Sequence, residues 1–157
     1  MNIQRFLIIA FSLVAASAFA AGDPNPRNDA PKDAVMDQFE AAKAKQDWGA
    51  AQVALKEGLA KSPNNADYHN LLAYSIRKGP NPDMSQVFQH YNEALRIDPK
   101  HKGAHEYLGE AYLMVGNVAK AKEHLAQLEK VCGFFGCSEQ RELKKAITEF
   151  EQKQASR

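Results

Sequence analysis

The sequence predicts an all-α solenoid of three helix hairpins closed by a C-terminal capping helix, and three observations predict it. From about Asp33 onward, apolar patterns of helical period alternate with short turns. The chain also matches itself at offsets of 34 and 36 residues: Asp47-Trp48, Asp83-Met84 and Asn117-Val118 recur at that spacing. So do Ala51, Val87 and Ala121, then Leu55, Tyr91 and Leu125. Finally, Pro63 and Pro99 close successive units, because proline cannot donate the hydrogen bond that would continue a helix.

Residues 1–20 stand apart from this pattern. Arg5 precedes the apolar run from Phe6 to Ala16, and Ser17-Ala18-Phe19-Ala20 places small residues where a signal peptidase reads. This order predicts a secretory signal cut between Ala20 and Ala21, and a periplasmic or secreted protein. The apolar run of about 11 residues falls short of the roughly 20 that a spanning helix needs. No Cys near the cut could accept a lipid, so no stable membrane insertion is expected. Residues 21–31 carry three prolines, Pro24, Pro26 and Pro31, and no large apolar side chain, the composition of a flexible leader.

The repeats are expected over 32–65, 66–101 and 102–132. In the first, Val35, Phe39 and Ala42 supply the apolar stripe of the opening helix, and Ala51, Leu55 and Gly58 that of its partner. In the second, Leu72, Ala73 and Ile76 fall at i, i+1 and i+4, and Gly79-Pro80-Asn81-Pro82 lengthens the internal turn by two residues. The third repeats that stripe as Leu108, Gly109 and Tyr112. Gly109 or Ala73 would let the paired helix approach closely, with Ala121 as the small residue opposite. Asp47, Asp83 and Asn117 are turn and cap residues before each second helix. Residues 133–157 hold a loop between Cys132 and Cys137 and a last helix. There Ser138 is the expected N-cap and Leu143, Ala146, Ile147 and Phe150 the apolar stripe. Such a helix would cover the exposed end of the third repeat.

These residues resemble the tetratricopeptide repeat (TPR), whose pattern is W-x2-L-G-x2-Y, then A-x3-F, then P. The third copy matches best, with His105-x2-Leu108-Gly109-x2-Tyr112 and Ala121-x3-Leu125. The second reads His69-x2-Leu72-Ala73-x2-Ile76, Val87-x3-Tyr91 and Pro99, and the first keeps only its second half well. The chain resembles small exported bacterial members of that family. The resemblance implies a right-handed superhelix and a non-enzymatic module that grips a protein or peptide partner in its concave groove. Carried over residue by residue, the groove face is Asp67, Asn70, Tyr74, Arg77 and Lys78, then Glu106, Glu110, Leu113 and Met114. Met36, Glu40 and Lys43 are weaker positions from the first repeat. The clamp that some members use for a terminal carboxylate is not matched. A spacer with a merely solvated groove stays open as a blander alternative.

Composition narrows the function further. Lys+Arg 20 against Asp+Glu 19 leaves no basic excess for a phosphate backbone, so no nucleic acid is expected. No G-x-S-x-G, Gly-rich phosphate loop or H-E-x-x-H occurs, so no enzyme activity, catalytic residue or cofactor is expected. His101 and His105 are four apart, but one falls in a turn and the other at a packing position, so no metal site is expected. Trp48 reads as core. The four residues between Cys132 and Cys137 are the wrong spacing for a C-x-x-C redox motif. A structural disulfide is the first reading, and a thiol-redox or metal-handling role the alternative.

Overall fold

The computed structural model describes residues 33–156, and the expected signal sequence and leader lie outside the described residues. Seven helices and no strand occupy these residues: α1 Ala34–Ala44, α2 Trp48–Lys61, α3 Ala66–Lys78, α4 Met84–Ile97, α5 Lys102–Met114, α6 Val118–Cys132 and α7 Ser138–Ala155. Helices pack as the pairs α1–α2, α3–α4 and α5–α6, and the pairs stack through α2–α3 and α4–α5. Residues 45–47 and 115–117 join the outer hairpins, whereas 79–83 join α3 to α4. The two extra residues therefore sit in the proline-containing turn that the change of offset indicates.

Side chains start six of the seven helices. Asp33, Asp47, Asn65, Asp83, His101 and Asn117 each accept a backbone N–H from the first turn, at 2.9–3.3 Å. Each satisfies a donor that has no partner within the helix. The seventh differs from the expected arrangement. Cys137, not Ser138, is the N-cap of α7 and makes no side-chain cap bond. Ser138 is already helical, and its hydroxyl donates to Glu139 at 3.0 Å.

Phe39, Leu55, Leu72, Tyr91 and Leu108 are fully buried and join the three hairpins into one core. A second cluster of Leu113, Ala121, Leu128, Leu143 and Ile147 joins α5 and α6 to α7. Here the close approach differs from the expectation for Gly109. A β-carbon on Gly109 would lie 2.6 Å from Cδ2 of Leu143, so the glycine admits α7 rather than its hairpin partner α6. Helix α7 packs on both α5 and α6, the place that the opening helix of another hairpin would occupy.

Candidate functional site

Helix α5 lies between α3 and α7 and contacts both, and the face that these helices share carries an aromatic and charged cluster. Tyr74 on α3 is its centre. Trp48 at the start of α2 meets the Tyr74 ring edge-on with centroids 5.7 Å apart, and Tyr107 on α5 lies 5.0 Å away on the other side. The Arg77 guanidinium stands 5.7 Å from the Tyr74 centroid and 5.6 Å from that of Tyr107, a cation–π arrangement. Its Nη2 pairs with Oε2 of Glu110 at 2.7 Å, and its Nε donates to the Tyr91 hydroxyl at 3.3 Å. With only 8% of its side chain exposed, Arg77 ties α3 to α5 more than it faces solvent. Lys78, by contrast, is exposed and holds its ammonium 5.9 Å over Tyr74.

The far side of the cluster is acidic. Burial, then the neighbouring charges of Glu110, Glu139 and Glu142, push the Glu106 carboxyl up to about 7. Two of those charges come from α7, so the terminal helix contributes to this face as well as closing the core. Burial and then Glu106 push the Tyr107 hydroxyl up to about 12. The Tyr107 hydroxyl is therefore a hydrogen-bond donor throughout the neutral range, whereas Glu106 is divided between its acid and carboxylate forms near pH 7.

The residues expected to line the groove divide into three groups. Tyr74, Arg77, Lys78, Glu106 and Glu110 come together as described. Met114 is 53% exposed at the end of α5, and exposed Asp67 accepts from Nε2 of His101 at 3.0 Å. Asn70 and Leu113 are corrections: both are buried, at 4% and 7% exposure. Asn70 packs against Gly103 of α5, with its side-chain oxygen unpartnered. Leu113 joins the second core, because α7 covers it. In the first repeat, Met36 packs on the core and Glu40 pairs with Lys43 at 3.2 Å. Trp48, read from sequence as core, is half-buried beside Tyr74.

The histidines serve the fold. His101 accepts the Ala104 N–H at Nδ1, which leaves its Nε2–H to reach Asp67 in the preceding repeat. His105 bonds the Pro99 carbonyl through Nε2 at 3.1 Å and His124 through Nδ1 at 3.0 Å. Since the carbonyl can only accept, His105 carries its proton on Nε2 and accepts from Nδ1–H of His124. His69, His90 and Pro63 repeat this arrangement one unit earlier, with both contacts within 3.0 Å. Among the described residues no three His, Cys, Asp or Glu side chains converge as metal ligands.

Protonating the acceptor of either pair, His105 or His69, would set N–H against N–H, whereas the donors His124 and His90 keep that bond and lose stability on protonation through burial of the charge. Burial first, and then the partner imidazole, lowers His124 to about 4. Burial likewise holds His90 and His105 below the ordinary value. A base with a depressed folded-state pKa contributes stability that is whole above its unfolded value near 6.5 and is lost as pH falls toward 4. For His124 the loss is roughly 1–2 kcal/mol after discounting for solvent screening. Denaturant melts of wild type and H124Q at pH 7 and pH 4.5 measure it. The stability gap between the two proteins should narrow or reverse at the lower pH. An unchanged gap would show that His124 does not titrate with unfolding. Glu106 works with the opposite sign, which is why the comparison is made against the variant.

At the end of α6, the sulfurs of Cys132 and Cys137 are within bonding distance, with Cα atoms 5.4 Å apart. Sequence reasoning anticipated this closure but not its neighbours, Phe134 and Phe135, which are almost wholly exposed. It also passed over Tyr107, Glu139 and Glu142. The histidine pairs had a visible signal: His69 and His105 are 36 apart and His90 and His124 are 34 apart, the offsets of the repeat itself.

No family model matches the chain, and no curated protein matches it. Among solved structures it is similar to the TPR2B domain of yeast Sti1 in its complex with pHsp70, at 22% identity. The match covers 76% of this chain and 94% of that one, with a TM-score of 0.67. A likeness at that identity speaks for the fold: the chain folds like a tetratricopeptide-repeat solenoid, with three hairpins and a terminal helix among the described residues.

Proposed function

We propose that this protein is a non-enzymatic interaction module that holds a protein or peptide partner along the face of its opening helices. The observation that carries the reading is the Trp48–Tyr74–Tyr107 cluster, with cations on one flank and carboxylates on the other. Aromatic side chains offer much contact area for little lost rotamer freedom, and the flanking charges select and orient what binds. The structurally similar Sti1 domain is in complex with pHsp70, which supports the same use of the fold. The signal-like residues 1–20 support action in the periplasm or outside the cell. Intact mass of the protein from its native host should then correspond to a chain beginning at Ala21.

The groove is tested at residues that reach its surface. Arg77 is unsuitable because its charge is committed to Glu110. Tyr74, Lys78 and Met114 reach the surface, and because Tyr74 also packs on the core, Y74A/K78E/M114E should keep its helical spectrum with a lowered thermal transition. Affinity capture from a cell-envelope extract should lose the partner by about tenfold or more, the weight of two or three anchor contacts. Retention of every captured partner by the folded triple variant would refute the groove.

A further inference from the structure

Phe134 and Phe135 are the most exposed large apolar side chains among the described residues, at 98% and 93%. Their position is built into the loop. Gly133 and Gly136 both take φ of +66°, a conformation that favours glycine, and Gly136 N–H donates to the Gly133 carbonyl at 3.1 Å. The two phenylalanines thus form the tip of a tight turn, pinned at its base where Cys132 meets Cys137. Their rings touch each other edge-on, 5.5 Å between centroids. The turn holds them away from the solenoid.

Below the rings, a shallow concavity of about 300 Å³ is lined by the loop together with Gln140, Arg141 and Lys144. Arg141 and Lys144 are exposed, and neither forms a salt bridge among the described residues. The acidic members of the same turns, Glu139 and Glu142, act on Glu106 of α5. Helix α7 therefore separates its charges, carboxylates toward the groove and free cations beside the loop.

We propose that this loop docks the protein on an anionic phospholipid surface, with Phe134 and Phe135 entering the boundary between headgroups and acyl chains while Arg141 and Lys144 meet lipid phosphates. Apolar tips ahead of basic heads is the order that an interfacial anchor requires. The area favours a bilayer over a protein pocket. Two rings present roughly 300–500 Å², against about 800 Å² from each side of a stable protein complex. What surrounds them is glycine, glutamine and basic side chains, not the apolar patch that would make up the difference. A fluid surface needs no matching cavity.

Protein purified from its native host is sedimented with vesicles of phosphatidylglycerol and phosphatidylcholine in equal parts, and with phosphatidylcholine alone. Every version carries the same N-terminus, so differences belong to the loop. Wild type should bind the anionic vesicles at least about fivefold more tightly than the neutral ones. F134S/F135S should weaken that binding by about tenfold or more, and R141Q/K144Q by roughly tenfold. Both pairs are exposed, so circular dichroism should be unchanged. The proposal is overturned if wild type ignores anionic vesicles, or if F134S/F135S binds them as wild type does. It is equally overturned if the rings instead drive concentration-dependent self-association without vesicle binding, which would assign them to a second copy of the chain.

Discussion

Replacing Leu143 by alanine should lower stability by about 2–5 kcal/mol, the range for truncating a fully buried leucine. The side chain is 0% exposed and its terminal carbons fill the space over Gly109. Few other contacts replace it, because among the described helices α7 rests on α5 and α6 alone. The loss should appear first as faster hydrogen exchange throughout α7, then as a lower denaturation midpoint. Its specificity can be checked from the opposite helix. G109A alone gains helix propensity of about 1 kcal/mol but pushes a methyl into Leu143, with a net cost of roughly 1–2 kcal/mol. In the combination G109A/L143A the new methyl enters the vacated space, so the double variant should be more stable than L143A. If the two effects simply add, Gly109 and Leu143 do not form the contact that seats α7.

R77M should cost about 3 kcal/mol, on the scale of breaking a largely buried ion pair. The substitution keeps much of the aliphatic bulk between Tyr74 and Tyr107 while removing the charge. It leaves the Tyr91 hydroxyl without its donor in a fully buried position and returns Glu110 to a crowd of carboxylates. E110Q, partly exposed, should cost only about 1 kcal/mol. The double variant R77M/E110Q should be less destabilised than the sum of the two by about 1 kcal/mol or more. Chemical denaturation of the four proteins provides the cycle. Strict additivity would show that the 2.7 Å contact contributes nothing to the coupling of α3 and α5.

The hairpins were legible because their signals are local and repeated. Asp47, Asp83 and Asn117 mark helix starts by short-range chemistry, and a self-comparison at 34 and 36 residues shows the same marks three times. The two-residue lengthening at Gly79–Pro82 was visible for the same reason. The face of the site was only partly legible. The resemblance brought out Tyr74, Lys78, Glu106 and Glu110, but a position along one helix cannot say what the next helix covers. Asn70 and Leu113 share the register of the exposed positions and are buried by α5 and α7. Tyr107 is missed for the converse reason, since it sits beside the expected strip and reaches Tyr74 only across the α3–α5 seam. Gly109 was recognised as a close approach and assigned to the wrong neighbour, because a glycine records that something comes near and not what.

The short connection between α6 and α7 also fixes how the end of the solenoid competes with other helices. Only residues 133–137 separate the two elements, so α7 returns to its seat by an intramolecular step. A short flexible tether sets an effective concentration on the order of millimolar or above. A free amphipathic helix from another protein, present at micromolar level, would then need roughly a thousandfold greater intrinsic affinity to displace it. The end seat is thus reserved for the chain's own helix against any untethered competitor.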